Sequence, residues 1–200
     1  MKRSLGPKTL AAPAPVWLVA TYDVDGKPNF MTAAWGCICS SQPPCLTVSL
    51  RSATYSHSAI VKRQAYTVNV PSSAQVAEAD YGGIVSGRDV DKFAACKFNA
   101  VRSSAVDAPY IEQAHLVLEC RLIHTLEVGI HTMFIGEIVD VKADETVLID
   151  GRTLDIERLS PIVYDTAQRA YLGIGSRLGP AWQIGKSIGR AATGGGEKTE

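Results

Sequence analysis

A short polar stretch that starts at Arg51 carries the groups most able to bind a ligand. Arg51 ends a strand-like run, and a helical pattern begins at His57. The residues between them include Ser52, Thr54 and Ser56. A guanidinium, several hydroxyls and the free amides of a helix N-terminus together bind anions well. The stretch therefore predicts a site for a phosphate-bearing ligand.

Residues 32–36, Thr-Ala-Ala-Trp-Gly, form a second candidate surface, which is suited to a flat ring. Ala33, Ala34 and Gly36 are small enough for a ring to lie against the backbone, and Trp35 offers an aromatic partner beside them. A tryptophan on a strand is more often a core residue. Both roles therefore stay open for Trp35.

The residues of the polar stretch also have ordinary structural roles. Arg51 could form a surface salt bridge, as single arginines often do. Tyr55 could belong to the core, and Ser56 could cap the helix. A cap and a bound phosphate use the same helix amides, so the two roles of Ser56 are compatible. The hydroxyl residues that directly follow Arg51 favour the phosphate interpretation.

Length and composition favour one globular domain without a nucleic-acid or membrane partner. The chain has 200 residues, and domains usually have about 100–200. Its 20 basic and 20 acidic residues give a formal net charge of zero, which argues against electrostatic binding of nucleic acid. No apolar run approaches the ~20 residues of a membrane span. We expect a single domain over residues 1–185 and a flexible tail over 186–200.

Five cysteines occur without a Cys-x-x-Cys pair. Cys37 and Cys39 alternate along a strand, so they face the same side and are poorly placed for a disulfide. We expect the cysteines to be small buried hydrophobes in a reducing compartment, with a redox or metal role for Cys37 and Cys39 as the alternative. Pro13 and Pro15 interrupt the apolar N-terminal run, so the sequence predicts a cytoplasmic protein rather than a signal peptide.

Strand-like patterns dominate the chain and predict a mainly β fold with short helices. Many short strands joined by turns favour an antiparallel barrel over a doubly wound sheet. No Gly-x-Gly-x-x-Gly sequence lies between a strand and a helix, so a dinucleotide-binding fold is rejected. We predict helices over 54–63 and from 72 to about 81, a short helix near Asp89, a loop over 99–110, and strands over 16–22, 29–40, 45–51, 66–70, 116–126, 130–141, 161–164 and 170–174.

An ordered set of motifs resembles the flavin reductase-like family, and in particular its flavoredoxin branch. Residues 29–35 read Asn-Phe-Met-Thr-Ala-Ala-Trp and precede a Pro-Pro loop, the strand ending in Arg51 and a Tyr-Ser helix start. Residues 86–93, Ser-Gly-Arg-Asp-Val-Asp-Lys-Phe, resemble the second signature of the family, and residues 131–137 resemble the third. The resemblance extends over roughly residues 13–185.

This resemblance implies an FMN-binding split β-barrel of the Greek-key antiparallel type, usually a homodimer with FMN at its interface. The implied function is to pass reducing equivalents from a nicotinamide nucleotide (NADH or NADPH) or a protein donor through FMN to a flavin or other acceptor. As an enzyme the protein would be an oxidoreductase. A non-catalytic electron-transfer or flavin-binding protein is the alternative. No carboxylate pair, Ser-His-Asp order or metal spacing stands out, so we expect neither catalytic acid–base residues nor a metal.

The resemblance also implies which residues contact the cofactor. Lys92 could otherwise lie on a solvated helix face, but it matches the basic residue of the family's Asp-Lys-Phe motif. His131 matches the family's His-Thr site, whereas His57, His115 and His124 fit structural or exposed roles. The expected cofactor-binding residues are Asn29, Met31, Thr32, Ala33, Ala34, Trp35, Cys37, Arg51, Ser52, Tyr55, Ser56, Lys92, His131 and Tyr164.

Overall fold

The computed structural model describes residues 1–186 and 188 of a mainly β protein with short helices. The predicted tail over 186–200 lies outside the described residues except for 186 and 188. The helices are α1 (Tyr55–Arg63), α2 (Val76–Ile84), α3 (Lys92–Ala95) and α4 (Ile156–Leu159). The strands are β1 (Ala14–Pro15), β2 (Trp17–Tyr22), β3 (Pro28–Ala33), β4 (Gly36–Ser41), β5 (Pro44–Arg51), β6 (Ala65–Val70), β7 (Ala100–Arg102), β8 (Pro109–Ile111), β9 (Leu116–Val128), β10 (His131–Ala143), β11 (Leu148–Ile149), β12 (Thr153–Leu154), β13 (Ile162–Asp165) and β14 (Ala170–Gly173).

Seven of these strands form one antiparallel sheet in the order β3-β2-β6-β9-β10-β5-β4. Its two edge strands, β3 and β4, are joined by only Ala34 and Trp35. In a flat sheet they would lie about 29 Å apart, because neighbouring strands are about 4.8 Å apart. The connection reaches at most about 11 Å. The sheet must therefore curl into a barrel. We call the place where the chain crosses from β3 to β4 the seam, and here the Ser49 amide of β5 donates to the Trp35 carbonyl at 2.8 Å.

Hydrophobic clusters on the two sides of this sheet hold the barrel and its helices together. One cluster includes Leu46, Val48 and Phe134 and is extended by Ile60 of α1. The other is centred on Phe30 of β3, which makes an edge-to-face contact with Phe93 of α3 at 5.3 Å between ring centroids. Because Ala79 of α2 belongs to the same cluster, both α2 and α3 are fixed against β3.

The hairpin of β9 and β10 is the longest in the barrel, with 13 residues in each strand. Register shifts next to Gly136 and Asp140 interrupt its ladder, and such bulges bend and twist long strands. From Ile123 to Val128 every residue of β9 is exposed. This outer half of β9 is therefore not covered by the rest of the chain, whereas Thr132 and Phe134 of β10, which lie opposite it, are buried.

Several predicted element boundaries were wrong, each for a reason found in the tertiary packing. The predicted strand over 29–40 is two strands at opposite edges of the sheet, because the chain crosses the seam at Ala34. The predicted loop over 99–110 contains the short hairpin of β7 and β8. Helix α2 continues through Gly82 and Gly83 instead of ending there. A Cβ on Gly82 would lie 2.6 Å from the Phe30 ring, so this glycine lets α2 pack closely on β3.

The exposure of two cysteines also differs from prediction. Cys37 and Cys39 are exposed because consecutive residues here point to opposite faces of β4 and neither face is covered by the described chain, whereas Cys45 and Cys120 are buried as expected. All five thiols are free. Among the described residues no helix is long and apolar enough to cross a membrane.

Gly136 offers a test of how tightly the barrel interior is packed. A Cβ at this position would lie 2.4 Å from the hydroxyl oxygen of Tyr66 and 3.1 Å from Cβ of Cys120, and both residues are fully buried. We expect Gly136→Ala to lower the free energy of unfolding in urea by about 1–3 kcal/mol, the usual cost of overpacking. Gly173→Ala is the control, since a Cβ there meets nothing within 4 Å. Equal effects of the two substitutions would contradict the packing argument.

Candidate functional site

A cavity of about 270 Å³ lies where β3, the N-terminal turn of α1 and the loop after α2 meet. We call it the main cavity because of the predicted residues that line it, although other cavities of the protein are larger. Five of the residues predicted from the sequence line it, namely Asn29, Met31, Tyr55, Ser56 and Lys92. The other lining residues are Ala53, Thr54, Gly82, Gly83, Ile84, Val85, Ser86, Gly87 and Arg88.

The N-terminal turn of α1 presents free amides to the main cavity. Its N-cap residue, Thr54, makes no side-chain cap bond, because its hydroxyl donates to the Arg51 carbonyl at 2.8 Å. Ser56 is only 1% exposed, and its Oγ accepts from the Asn29 amide Nδ2 at 2.9 Å. The Ser56 hydroxyl proton is therefore still available for an acceptor in the cavity.

Two cationic side chains, Lys92 and Arg88, line the main cavity, and none of its lining residues within the described chain is acidic. Lys92 is 4% exposed and donates from Nζ to the Gly82 carbonyl at 2.7 Å. Burial lowers the pKa of Lys92 to about 8, because an ammonium loses hydration in the interior. Helix amides, hydroxyls and two cations together favour an anion.

The loop over 86–88 closes one side of the main cavity. Gly87 is required there, since a Cβ would lie 2.2 Å from Asn29 Oδ1 and 2.6 Å from Cδ1 of Tyr55. The Tyr55 side chain is fixed in position because its hydroxyl donates to Asp23 Oδ2 at 2.8 Å. This hydrogen bond raises the pKa of Tyr55. Arg88 Nη1 donates to the Ala53 carbonyl at 3.3 Å, with the guanidinium 5.5 Å from the Tyr55 ring centroid.

Sequence reasoning did not select Arg88 as a site residue, although it lies in the quoted signature over residues 86–93. Only the fold brings the end of this loop to the turn before α1. The available signal was an arginine next to a glycine inside a motif that already resembled a ligand-binding signature.

A second cavity of about 310 Å³ adjoins the main one and shares Gly83 and Ile84 with it. It contains three further predicted residues, Thr32, Ala34 and Tyr164. The Tyr164 ring packs against Tyr171 with centroids 5.8 Å apart. The predicted residues on β3 thus divide between two neighbouring cavities. Asp80, Arg169, Tyr171 and Val16 complete the lining of the second cavity.

The other predicted residues line neither cavity. Ala33 is buried in the barrel core, whereas Trp35 is exposed at the seam. Cys37 is exposed, with its Sγ 3.5 Å from Thr47 Oγ1. Arg51 and Ser52 are exposed beside the turn that leads into α1, and His131 lies opposite Arg51 in the β10–β5 register. Arg51 makes no side-chain hydrogen bond or ion pair with any described residue.

The predicted His-Thr pair separates into two environments. His131 is half-buried at the start of β10, but Thr132 is buried and lies 2.8 Å from His57 Nε2. Thr132 also donates to Glu127 Oε1 at 2.8 Å. A hydroxyl has one proton, so His57 must donate to Thr132 from Nε2. His57 therefore fixes α1 to the hairpin, in line with the structural role expected for it.

The fold and the main cavity together define a class: β-barrel proteins with a cationic cavity at a helix N-terminus. A sequence model of the family described as "Flavin reductase like domain" matches residues 10–171. Since the match includes well over half of the sequence, the chain belongs to this family.

Solved and curated relatives agree with the family. The structure of flavoredoxin from Desulfovibrio vulgaris (Miyazaki F) superimposes with a TM-score of 0.88 and 48% identity, over 92% of this chain and 100% of that one. An uncharacterized protein of Archaeoglobus fulgidus is 35% identical over 115 residues, which is 58% of this chain and 65% of that relative's length. The reductase component of FADH(2)-dependent resorcinol hydroxylase from Rhizobium sp. (strain MTP-10005) is 28% identical over 72% of each chain.

The lowered pKa of Lys92 makes a prediction about stability and pH. Folded Lys92 loses its proton near pH 8, whereas the unfolded lysine keeps it up to about pH 10.5. The unfolded state therefore binds more protons in this window, and stability must rise with pH. Relative to Lys92→Met, we expect the free energy of unfolding of the wild type to gain up to about 3 kcal/mol between pH 8 and 10.5.

The matched control is Lys62→Met, measured by chemical unfolding across the same pH range. Lys62 also donates to a backbone carbonyl, that of Val24 at 3.1 Å, but it is exposed. Its removal should leave the pH dependence unchanged. A wild-type curve parallel to that of Lys92→Met would show that Lys92 has an ordinary pKa.

Proposed function

We propose that this chain is a flavoprotein that binds FMN in the main cavity, with the phosphate at the N-terminal turn of α1. The observation that carries the proposal is the chemistry of the cavity: buried Lys92, Arg88, the Ser56 hydroxyl and free helix amides, without a lining carboxylate. When bound, FMN supplies the redox chemistry, and the protein supplies its position and electrostatics.

The residues of the main cavity fit this cofactor. Asn29 orients the Ser56 hydroxyl, and Lys92 provides a cation to the phosphate or to a negatively charged ring. We propose that Tyr55 and Met31 form walls of the site. In this proposal Arg51, Ser52 and His131 lie at its rim, and the ring rests near Thr32, Ala33, Ala34, Trp35, Cys37 and Tyr164.

The main cavity by itself is small for the whole of FMN. Pockets for small molecules usually measure about 300–1,000 Å³, whereas this cavity measures about 270 Å³. It suits the phosphate and sugar chain better than the whole of FMN, which leaves the ring to the adjoining second cavity of about 310 Å³. We propose that a second copy of the chain covers the flavin ring. This copy would pack on the exposed end of the β9–β10 hairpin, where Leu126, Val128 and Ile130 are 55%, 51% and 66% exposed.

As an enzyme, the protein would pass reducing equivalents from NADH or NADPH through FMN to a flavin or other acceptor. The likeness to a reductase component supports this. The alternative is an electron-transfer protein with protein partners, and the 48% identity to a flavoredoxin favours it. Anaerobic mixing with NADH and NADPH separates the two: bleaching of bound flavin indicates a nicotinamide-dependent enzyme. We further propose that residues 1–185 act as one domain and that the protein works in the cytoplasm, a compartment in which cysteines are kept reduced.

The proposed phosphate site can be tested with two serines of one helix. Ser56→Ala should weaken FMN binding about fivefold, the effect of one hydrogen bond worth about 1 kcal/mol. Riboflavin binding should change little, because riboflavin has no phosphate. Ser58→Ala is the control, since Ser58 is exposed on α1 outside the cavity. Titrations followed by flavin fluorescence give both affinities, and a wild type that binds no FMN would refute the proposed function.

The proposed dimer predicts a change of mass on substitution at the hairpin end. Leu126→Lys combined with Val128→Lys places two charges on one exposed apolar face, so we expect a two-chain species to become a one-chain species in sedimentation. FMN affinity should fall with it. Ile156→Lys is the control, because Ile156 is an equally exposed apolar residue on α4. A wild type that sediments as one chain and binds FMN tightly would rule out a shared site.

A further inference from the structure

We propose that Arg88 makes the site bind flavins that end in a phosphomonoester, such as FMN, in preference to flavins whose phosphate continues into a pyrophosphate, such as FAD. We call the contacts of Arg88 with the Ala53 carbonyl and the Tyr55 ring the latch. The inference rests on the proposed function, because it assumes that a flavin phosphate occupies the main cavity. It goes further by naming the residue that sets which flavin is accepted.

The latch spans the edge of the main cavity. Arg88 lies on the loop after α2, and Ala53 lies on the turn before α1, and both residues line the cavity. The bond from Arg88 Nη1 to the Ala53 carbonyl therefore joins the two walls. The guanidinium also lies 5.5 Å from the Tyr55 ring centroid, a distance at which cation and ring attract each other. In this proposal a chain that continues beyond the phosphate leaves the cavity at this edge and displaces these contacts.

Both ends of the latch are held in place. On one side, the Tyr55 hydroxyl is bonded to Asp23, which fixes the ring under the guanidinium. On the other side, Gly87 fits against Asn29 and Tyr55 without room for a Cβ. The Arg88 amide donates to Ser86 Oγ at 3.2 Å, and this hydrogen bond within the loop stabilises its conformation. The loop therefore packs closely against Asn29 and Tyr55, and its opening requires that Arg88 leave the Tyr55 ring.

The charges of the cavity favour the same ligand. A phosphomonoester carries about −1.5 to −2 charges at pH 7 and presents three terminal oxygens. Lys92, Arg88 and the N-terminal turn of α1 line the same cavity, and in this proposal they provide the donors for these oxygens. In a pyrophosphate, the first phosphate has one fewer terminal oxygen and less charge, and its extension has to pass Arg88. The positive charge of Arg88 therefore favours the phosphate of FMN, and its contacts with Ala53 and Tyr55 obstruct the pyrophosphate extension of FAD.

The test compares the affinities of wild type, Arg88→Ala and Arg88→Lys for FMN, FAD and riboflavin. Arg88→Ala should weaken FMN about tenfold, the factor expected for one lost charge-assisted hydrogen bond, while FAD weakens less or tightens. Arg88→Lys keeps the charge but has no planar guanidinium to lie on Tyr55. It should therefore hold FMN within a few-fold of wild type while its preference over FAD falls about tenfold. Riboflavin should report only on the fold.

The control is Arg158→Ala, since Arg158 also donates to a backbone carbonyl, that of Leu148 at 3.0 Å, but lies on α4 away from the cavity. It should leave all three affinities unchanged. The inference is overturned if wild type does not prefer FMN to FAD, or if Arg88→Lys keeps the full preference. If Arg88→Ala loses all binding and melts early, Arg88→Lys decides alone. A wild type that binds no flavin would instead refute the proposed function.

Discussion

The two-residue connection between β3 and β4 is the constraint on which the rest of the structure depends. Because Ala34 and Trp35 join strands at opposite edges of one sheet, the sheet has no flat alternative. Closure brings β3 next to the segment that follows β5. The main cavity lies across this seam, with Asn29 on one side and Ser56 on the other, and their hydrogen bond ties the two sides together. The site is therefore a consequence of barrel closure.

The burial of Lys92 in this packing lowers the stability of the protein without a ligand. The Lys92 Nζ lies over the Phe30 ring, 5.9 Å from the ring centroid, and the Gly82 carbonyl accepts a hydrogen bond from it. Burial disfavours the charged form that an anion needs. A site that holds a cation ready in an apolar setting gives up some stability of the empty protein. It gains a stronger interaction when the anion arrives, because little water screens the pair.

Much of the fold and part of the site could be predicted from the sequence, since both rest on local patterns. Strand periodicity located most of the barrel, and the cluster ending in Ser56 marked the turn before α1. The sequence did not reveal that Gly82 lies inside a helix, because its role is a close approach to Phe30, a residue 52 positions away in the chain. Arg88 was missed for the same reason, since its partner carbonyl on Ala53 is distant in sequence. The exposure of Cys37 could not be predicted either, because only the tertiary packing shows that the faces of β4 are left uncovered.

The order of strands in the sheet also governs how the protein reaches its native state. The pairing of β5 with β10 joins Arg51 to His131, and the pairing of β6 with β9 joins Ala65 to Arg121. Topologies dominated by such distant pairings fold slowly, because the loops between the strands must close before the contacts form. The cavity residues come from β3, α1 and the segment after α2, so they meet only in the finished barrel. A ligand bound there stabilises the native state alone, and it acts by slowing unfolding rather than by guiding the chain as it folds.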